Sequence, residues 1–217
     1  MHIGIVGGTG PAGTAFAARL ASVGHEVILG SRSKYRAMEA VDDLLERWAD
    51  LDLDIVAGDN DEAAQCEVVV IATPWDAAAI TARSVSRFLT GKIVVTMSNA
   101  LDRVDDEFVP LIPPRGSVAA SIQATVPAAK VAAAMQHVPA KELGNLDEPL
   151  NSDVLICSDH KDATALVTEM VSSIPGTRAL DSGNLSNATA IEAFTAVLLQ
   201  LNTRYKTRVA LKLTGLD

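Results

Sequence analysis

Gly8-Thr9-Gly10-Pro11-Ala12-Gly13 carries the spacing G-x-G-x-x-G between an apolar run and a helical pattern. In that setting each glycine has a physical task. Gly8 permits a tight turn, Gly10 lets the backbone approach a pyrophosphate, and Gly13 lets the helix pack closely on the strand. The helix start then offers unpaired N–H groups and a partial positive charge to phosphate oxygens. Pro11 suits the first turn, where a missing N–H costs nothing.

The end of the second apolar run chooses the nucleotide. A site for NAD places Asp or Glu there to hold the ribose 2′-hydroxyl. This chain reads Gly30-Ser31-Arg32-Ser33-Lys34-Tyr35-Arg36 instead. A carboxylate would repel a 2′-phosphate, whereas Arg32 can clamp one with two parallel hydrogen bonds and stack on adenine. Ser31 adds a hydroxyl, and Lys34 or Arg36 adds charge. The expected cofactor is therefore NADP(H). Thr73-Pro74-Trp75 and Ser98-Asn99-Ala100 close two later strands, where the carboxyl ends line the ligand crevice of such sheets. Thr73, Pro74 and Asn99 are thus expected beside the nicotinamide, while Trp75 has two readings, ring contact or packing under the next helix.

A reductase that protonates a carbonyl or imine needs a placed acid. None stands out. His25 reads as structural, His160 starts a polar helix, and His137 in Gln136-His137-Val138-Pro139-Ala140 is the one histidine to weigh for a site role. There is no Ser-x-x-x-Lys or Tyr-x-x-x-Lys pair in a fitting place. That pattern favours an acceptor whose own ring takes the hydride, with orientation as the main work of the protein.

The elements that must position these groups alternate. Ile3–Val6, Val27–Leu29, Ile55–Ala57, Val68–Ala72 and Ile93–Met97 read as short buried strands. Val68-Val69-Val70-Ile71 lacks polar alternation, as in a parallel strand covered on both faces. Helical spacing appears over Pro11–Val23, Lys34–Trp48 and Asp76–Phe88. The fold class is α/β, a Rossmann-type doubly wound parallel sheet. Residues 101–116 read as a loop, rich in Asp and Pro. An Ala/Val stretch (Val118–Gln136), a turn-rich segment (His137–Asn151), a strand (Val154–Cys157) and helices over Asp162–Ser173 and Asn187–Tyr205 follow. The expected division is a nucleotide-binding domain over 1–115 and a small C-terminal α+β domain over 116–217. The wide apolar face of the last helix (Ile191, Phe194, Val197, Leu198, Leu201) reads as core or as core plus subunit contact.

Composition narrows the partners. The chain has 217 residues and 48% hydrophobic residues, but only 4% aromatics, so the core must be built from small aliphatic side chains. The formal net charge is −9 with no basic stripe, which argues against nucleic acid. No apolar run nears the roughly 20 residues that span a bilayer, and no secretory signal is expected. Cys66 and Cys157 stand alone without metal-ligand spacing, so no metal site is indicated; they read as buried thiols in a reducing cytoplasm.

GIVGGTGPAG, GHEVILGSRS, TPW, VPA with the following NLD, and GNLSNATAIEA run in the order found in the NADPH-dependent coenzyme F-420 reductases, and the chain resembles that family over nearly its whole length. The resemblance implies an oxidoreductase, a cytoplasmic homodimer whose C-terminal domain completes a deazaflavin cleft. It implies that C4 of NADP(H) and C5 of the deazaflavin F-420 exchange a hydride between stacked rings. It further implies pyrophosphate contacts at Thr9, Gly10, Pro11 and Ala12, 2′-phosphate contacts at Ser31, Arg32 and Arg36, and ring contacts at Trp75, Asn99 and Ala140, with Val209 in the closing C-terminal segment. SNAL after the fifth strand and QH before VPA depart from the family's archaeal pattern. Two other readings remain: an NADP-dependent imine or carbonyl reductase related to pyrroline-carboxylate reductase, and a non-enzymatic nucleotide-sensing module.

Overall fold

The computed structural model describes residues 1–216. In chain order its elements are β1 (His2–Val6), α1 (Pro11–Ala21), β2 (Glu26–Ser31), α2 (Lys34–Arg47), β3 (Ile55–Asp59), α3 (Asn60–Ala64), β4 (Val68–Ile71), α4 (Trp75–Ser84), β5 (Ile93–Thr96), β6 (Leu101–Val104), β7 (Glu107–Pro110), α5 (Val118–Thr125), β8 (Lys130–Ala133), α6 (Ala140–Leu143), β9 (Ser152–Ser158), α7 (Lys161–Ser172), β10 (Thr177–Asp181) and α8 (Ala188–Tyr205). An eight-stranded sheet runs β10-β9-β8-β5-β4-β1-β2-β3. Its pairs are parallel except β8 with β9. Strand order reverses at β1, which lies between β2 and β4, so a crevice opens beyond the carboxyl ends there.

The strands divide their side chains between two apolar layers, as a period of two requires. On one face Ile3, Ile5, Val68, Val70 and Val95 meet Phe16 and Leu20 of α1, Val41 of α2 and Val167 and Met170 of α7. On the other, Val69, Ile71, Val94 and Val131 meet Ala78 and Ala82 of α4, Ile122 of α5 and Ile191 of α8. All four residues of β4 are buried, as expected for a parallel strand covered on both faces.

Three segments differ from the sequence expectation. The expected loop over 101–116 contains a hairpin, β6–β7, turning at Asp105 with φ +53°. The Ala/Val stretch splits into α5 and β8, which carries the sheet past residue 115 without a break. Thr177–Asp181 adds an edge strand, β10, that pairs with β9.

Candidate functional site

The glycine turn joins β1 to α1. A Cβ on Gly13 would stand 2.3 Å from the Gly8 carbonyl oxygen, so α1 packs on the turn only because residue 13 has no side chain. A Cβ on Gly10 would meet nothing within 4 Å. The fold itself does not require glycine at 10; the open space beside its backbone is where a ligand would lie. Gly8 is committed, donating its N–H to Gly30 at 2.9 Å. The N–H groups of Ala12 and Gly13 fall in the first turn of α1, where helix geometry leaves donors unpaired. Gly7, which the sequence reading did not include, holds φ +68° and donates its N–H to Asn60 Oδ1 at 3.0 Å.

A cleft of about 910 Å3 opens from this turn, within the size range of coenzyme sites. Thr9, Gly10, Ser31, Arg32, Arg36, Thr73 and Pro74 line it, and α4 forms its far wall with Asp76 and Ile80. Arg32 and Arg36 are exposed and have no ion-pair partner among the described residues. Lys34, by contrast, is bound to Glu62 at 2.8 Å, so its charge is already matched. Glu62 also accepts from the Asp59 N–H while Asp59 accepts from the Glu62 N–H, a reciprocal cap that starts α3. Asp59, the carboxylate in register with Ser31, is thereby held by the cap. The cleft thus presents two free guanidiniums, the chemistry a 2′-phosphate requires. Thr73 Oγ1 is buried there without a partner.

A second, smaller pocket of about 220 Å3 lies beyond the ends of β5 and β8. Ala12, Asn99, His137, Ala140 and Val209 line it with Met97, Gln136, Thr195, Leu198 and Asn202. Ser98 Oγ donates to the Thr73 carbonyl at 2.8 Å, tying the ends of β4 and β5 together between the two spaces. Asn99 spans the pocket wall: its Nδ2 donates to the Gln136 carbonyl at 2.8 Å and its Oδ1 accepts from Thr195 Oγ1 at 3.1 Å. Arg19 braces α6, whose first residue, Ala140, lines the pocket. Its guanidinium is buried with no carboxylate partner among the described residues and donates to the carbonyls of Leu143 (2.9 Å), Glu142 (3.1 Å), Glu148 (3.2 Å) and Asn145. It fastens the segment after α6 to α1.

Among the described residues, no Asp or Glu lines this pocket. His137 Nε2 donates to the Asp153 carbonyl at 3.0 Å, which leaves Nδ1 as an acceptor without a partner. Burial pushes the His137 pKa down, so the ring is neutral at physiological pH and is no proton source. Both polar atoms of the Gln136 side chain are also buried and unpaired. Unpaired buried groups cost folding free energy, and a ligand with polar edges would satisfy them.

Three sequence-predicted site residues lie elsewhere. Trp75 packs partly buried against the α4 side of the core and lines neither space. Pro11 lines a separate depression between α1, α2 and α6. Gly8 serves the turn itself. His25 is structural as expected, with Nε2 3.2 Å from Ser173 Oγ.

Comparison with known proteins identifies the family and the fold. Residues 2–100 match the family model described as NADP oxidoreductase, coenzyme F420-dependent. Over the full chain, 35% of residues are identical to the F420-dependent NADP reductase of Methanocaldococcus jannaschii, with 100% of both chains covered. The reductase of the same name from Methanothermobacter marburgensis is also 35% identical, over 100% of this chain and 99% of its own. The crystal structure of an Arthrobacter sp. FB24 protein superposes with a TM-score of 0.81, covering 96% of this chain and 98% of that one at 23% identity, a likeness of fold.

Proposed function

Since the chain belongs to the F420-dependent NADP reductase family, we propose that it transfers a hydride between NADP(H) and the deazaflavin F-420 with the two rings stacked where its cleft and its pocket meet. The observation that carries this reading is the pocket's lack of a proton donor. Its histidine is neutral and, among the described residues, no carboxylate lines it. Such a pocket suits an acceptor that takes the hydride into its own ring, because the protein then needs only to orient two flat systems and exclude water. The coenzymes supply the redox chemistry, exchanging hydride between C4 of one and C5 of the other.

The residues of the chain divide that work. The Thr9–Gly10 backbone and the start of α1 hold the pyrophosphate, and Arg32, Arg36 and Ser31 hold the 2′-phosphate. Thr73 and Pro74 direct the nicotinamide toward the pocket. Ala12 and Ala140 are small enough to let the rings approach, and Gln136 and His137 present their unpaired polar atoms to ring edges. Residues 135–209 complete the pocket while β8 and β9 continue the same sheet.

The protein acts as a homodimer in the cytoplasm. The half-exposed Val197 on α8 adjoins the hairpin bearing exposed Val104 and Val109, and the two are joined by the Phe108 N–H to Gln200 at 3.1 Å. Sedimentation will give twice the chain mass if this strip is the contact. No helix of the described residues is long and apolar enough to cross a membrane.

The test of the chemistry is isotopic. With NADPH deuterated at C4, one deuterium is expected at C5 of reduced F-420. Deuterium entering C5 from heavy water instead would overturn direct transfer.

A further inference from the structure

Asp153 stands near the start of β9 with 0% of its surface exposed. Its carboxylate is met from two directions. From β10, Arg178 donates Nε to Oδ1 at 3.1 Å and Nη2 to Oδ2 at 2.6 Å, a bidentate pair. From the C-terminal segment, the Leu213 N–H donates to Oδ2 at 2.6 Å and the Lys212 ammonium stands 3.5 Å from Oδ1. The Asp153 N–H donates back to the Leu211 carbonyl at 2.8 Å, and Arg178 also binds the carbonyls of Leu213 and, at 2.6 Å, Leu216. Residues 211–216 are therefore strapped to one buried carboxylate and its arginine partner.

That segment is a wall of the pocket. Lys206 ends α8 in a left-handed conformation, φ +51°, and reverses the chain. Val209 then lines the pocket, its N–H donated to Asn202 Oδ1 at 2.7 Å. On its other side Asp153 fixes a second wall, accepting from His137 through its carbonyl. Such an expensive buried charge, met among the described residues by groups that hold the segment 211–216, does more than join two strands.

We propose that Asp153 is a positioning residue of the deazaflavin pocket: it holds the C-terminal segment, and with it Val209, closed over the pocket while setting the His137 ring. This rests on reading the pocket as the F-420 site. Asp153 touches no substrate; it acts through Val209 and His137.

Asp153→Asn in the full chain tests it, together with Leu213→Pro, which removes one donor to Asp153 at a half-exposed position and leaves the charges in place. Amide hydrogen exchange over residues 207–216 is read without coenzyme, then the NADPH dissociation constant, then KM for F-420 and kcat. Exchange is expected to quicken and KM for F-420 to rise about tenfold, with NADPH affinity changed less than about twofold. Val209→Gly should raise the same KM, and combined with Asp153→Asn the two effects should fall short of additive. Faster exchange with KM unmoved, full additivity, or unchanged exchange in both variants would overturn the proposal. If Asp153→Asn does not fold, Leu213→Pro alone decides. If the unchanged protein does not turn over F-420, the substrate reading fails separately, and the strap stands or falls on the exchange measurement.

Discussion

The larger cleft is lined by residues between Gly7 and Ser84, while the smaller pocket draws its lining from Ala12 to Val209. The cleft is a backbone turn with free guanidiniums at its rim, open to water. The pocket is assembled from strand ends, a buried arginine brace and a strapped chain end, and its polar side chains are enclosed. A nucleotide's phosphates need only donors and charge, which a local motif supplies. Holding a ring at reacting distance needs rigid walls, and those come from elements far apart in the chain.

The two glycines of the turn separate folding from binding. Gly13→Ala sets a Cβ against the Gly8 carbonyl and should cost about 2–4 kcal/mol of stability, read by denaturant unfolding. Gly10→Ala should leave the unfolding midpoint unchanged and weaken NADPH roughly 100-fold, because its Cβ enters the space for the ligand. Unchanged NADPH affinity in Gly10→Ala would show that the open space beside Gly10 is not a binding surface.

Arg32→Ala belongs wholly to the cleft. NADPH should bind about 30-fold more weakly or worse, NADH almost as before, and stability should not change. Parallel losses for both nucleotides would contradict a 2′-phosphate role.

Gln136→Leu probes the pocket alone. It removes two unpaired buried atoms, so stability should hold or rise, while turnover with F-420 falls about tenfold at unchanged NADPH affinity. A fall in NADPH affinity of the same size would move Gln136 to the cleft.

The smallest effect is on pH. Glu192 on α8 accepts from the N–H groups of Val118 and Ala119 at 2.8 and 3.1 Å, and burial pushes its pKa from 4.5 up to about 7. The folded state then keeps a proton that the unfolded chain gives up near pH 4.5. Its contribution is complete below that pH and is lost as pH rises toward 7. Stability should decline over that window by on the order of 1 kcal/mol, and Glu192→Gln should flatten the slope.

The cleft was legible in the sequence because its determinants are local. The glycine spacing, Ser31-Arg32 and the Thr73-Pro74 strand end each carry their own meaning, and the structure brings them to one space. That Lys34, the alternative to Arg36 as a source of added charge, is paired was not legible, because Glu62 lies 28 residues away on another helix. The pocket was legible only in part. Asn99 came from a strand end and Ala140 and Val209 from motif order, whereas Met97, Gln136, Thr195 and Asn202 carry no local signature. They meet only because β8 extends the sheet, and β8 lay hidden in an Ala/Val run that suits helix and strand alike. The hairpin was missed because its Asp and Pro residues read as loop, although Leu101–Val104 and Glu107–Pro110 flank a two-residue turn.

The central claim is that both rings occupy this chain at once. Initial rates with NADPH and F-420 varied against each other, followed by loss of the deazaflavin absorbance, test it most directly. Double-reciprocal lines that intersect, with one NADPH consumed per deazaflavin reduced, are expected of a ternary complex. Parallel lines, or no turnover in a protein that binds NADPH tightly, would contradict it.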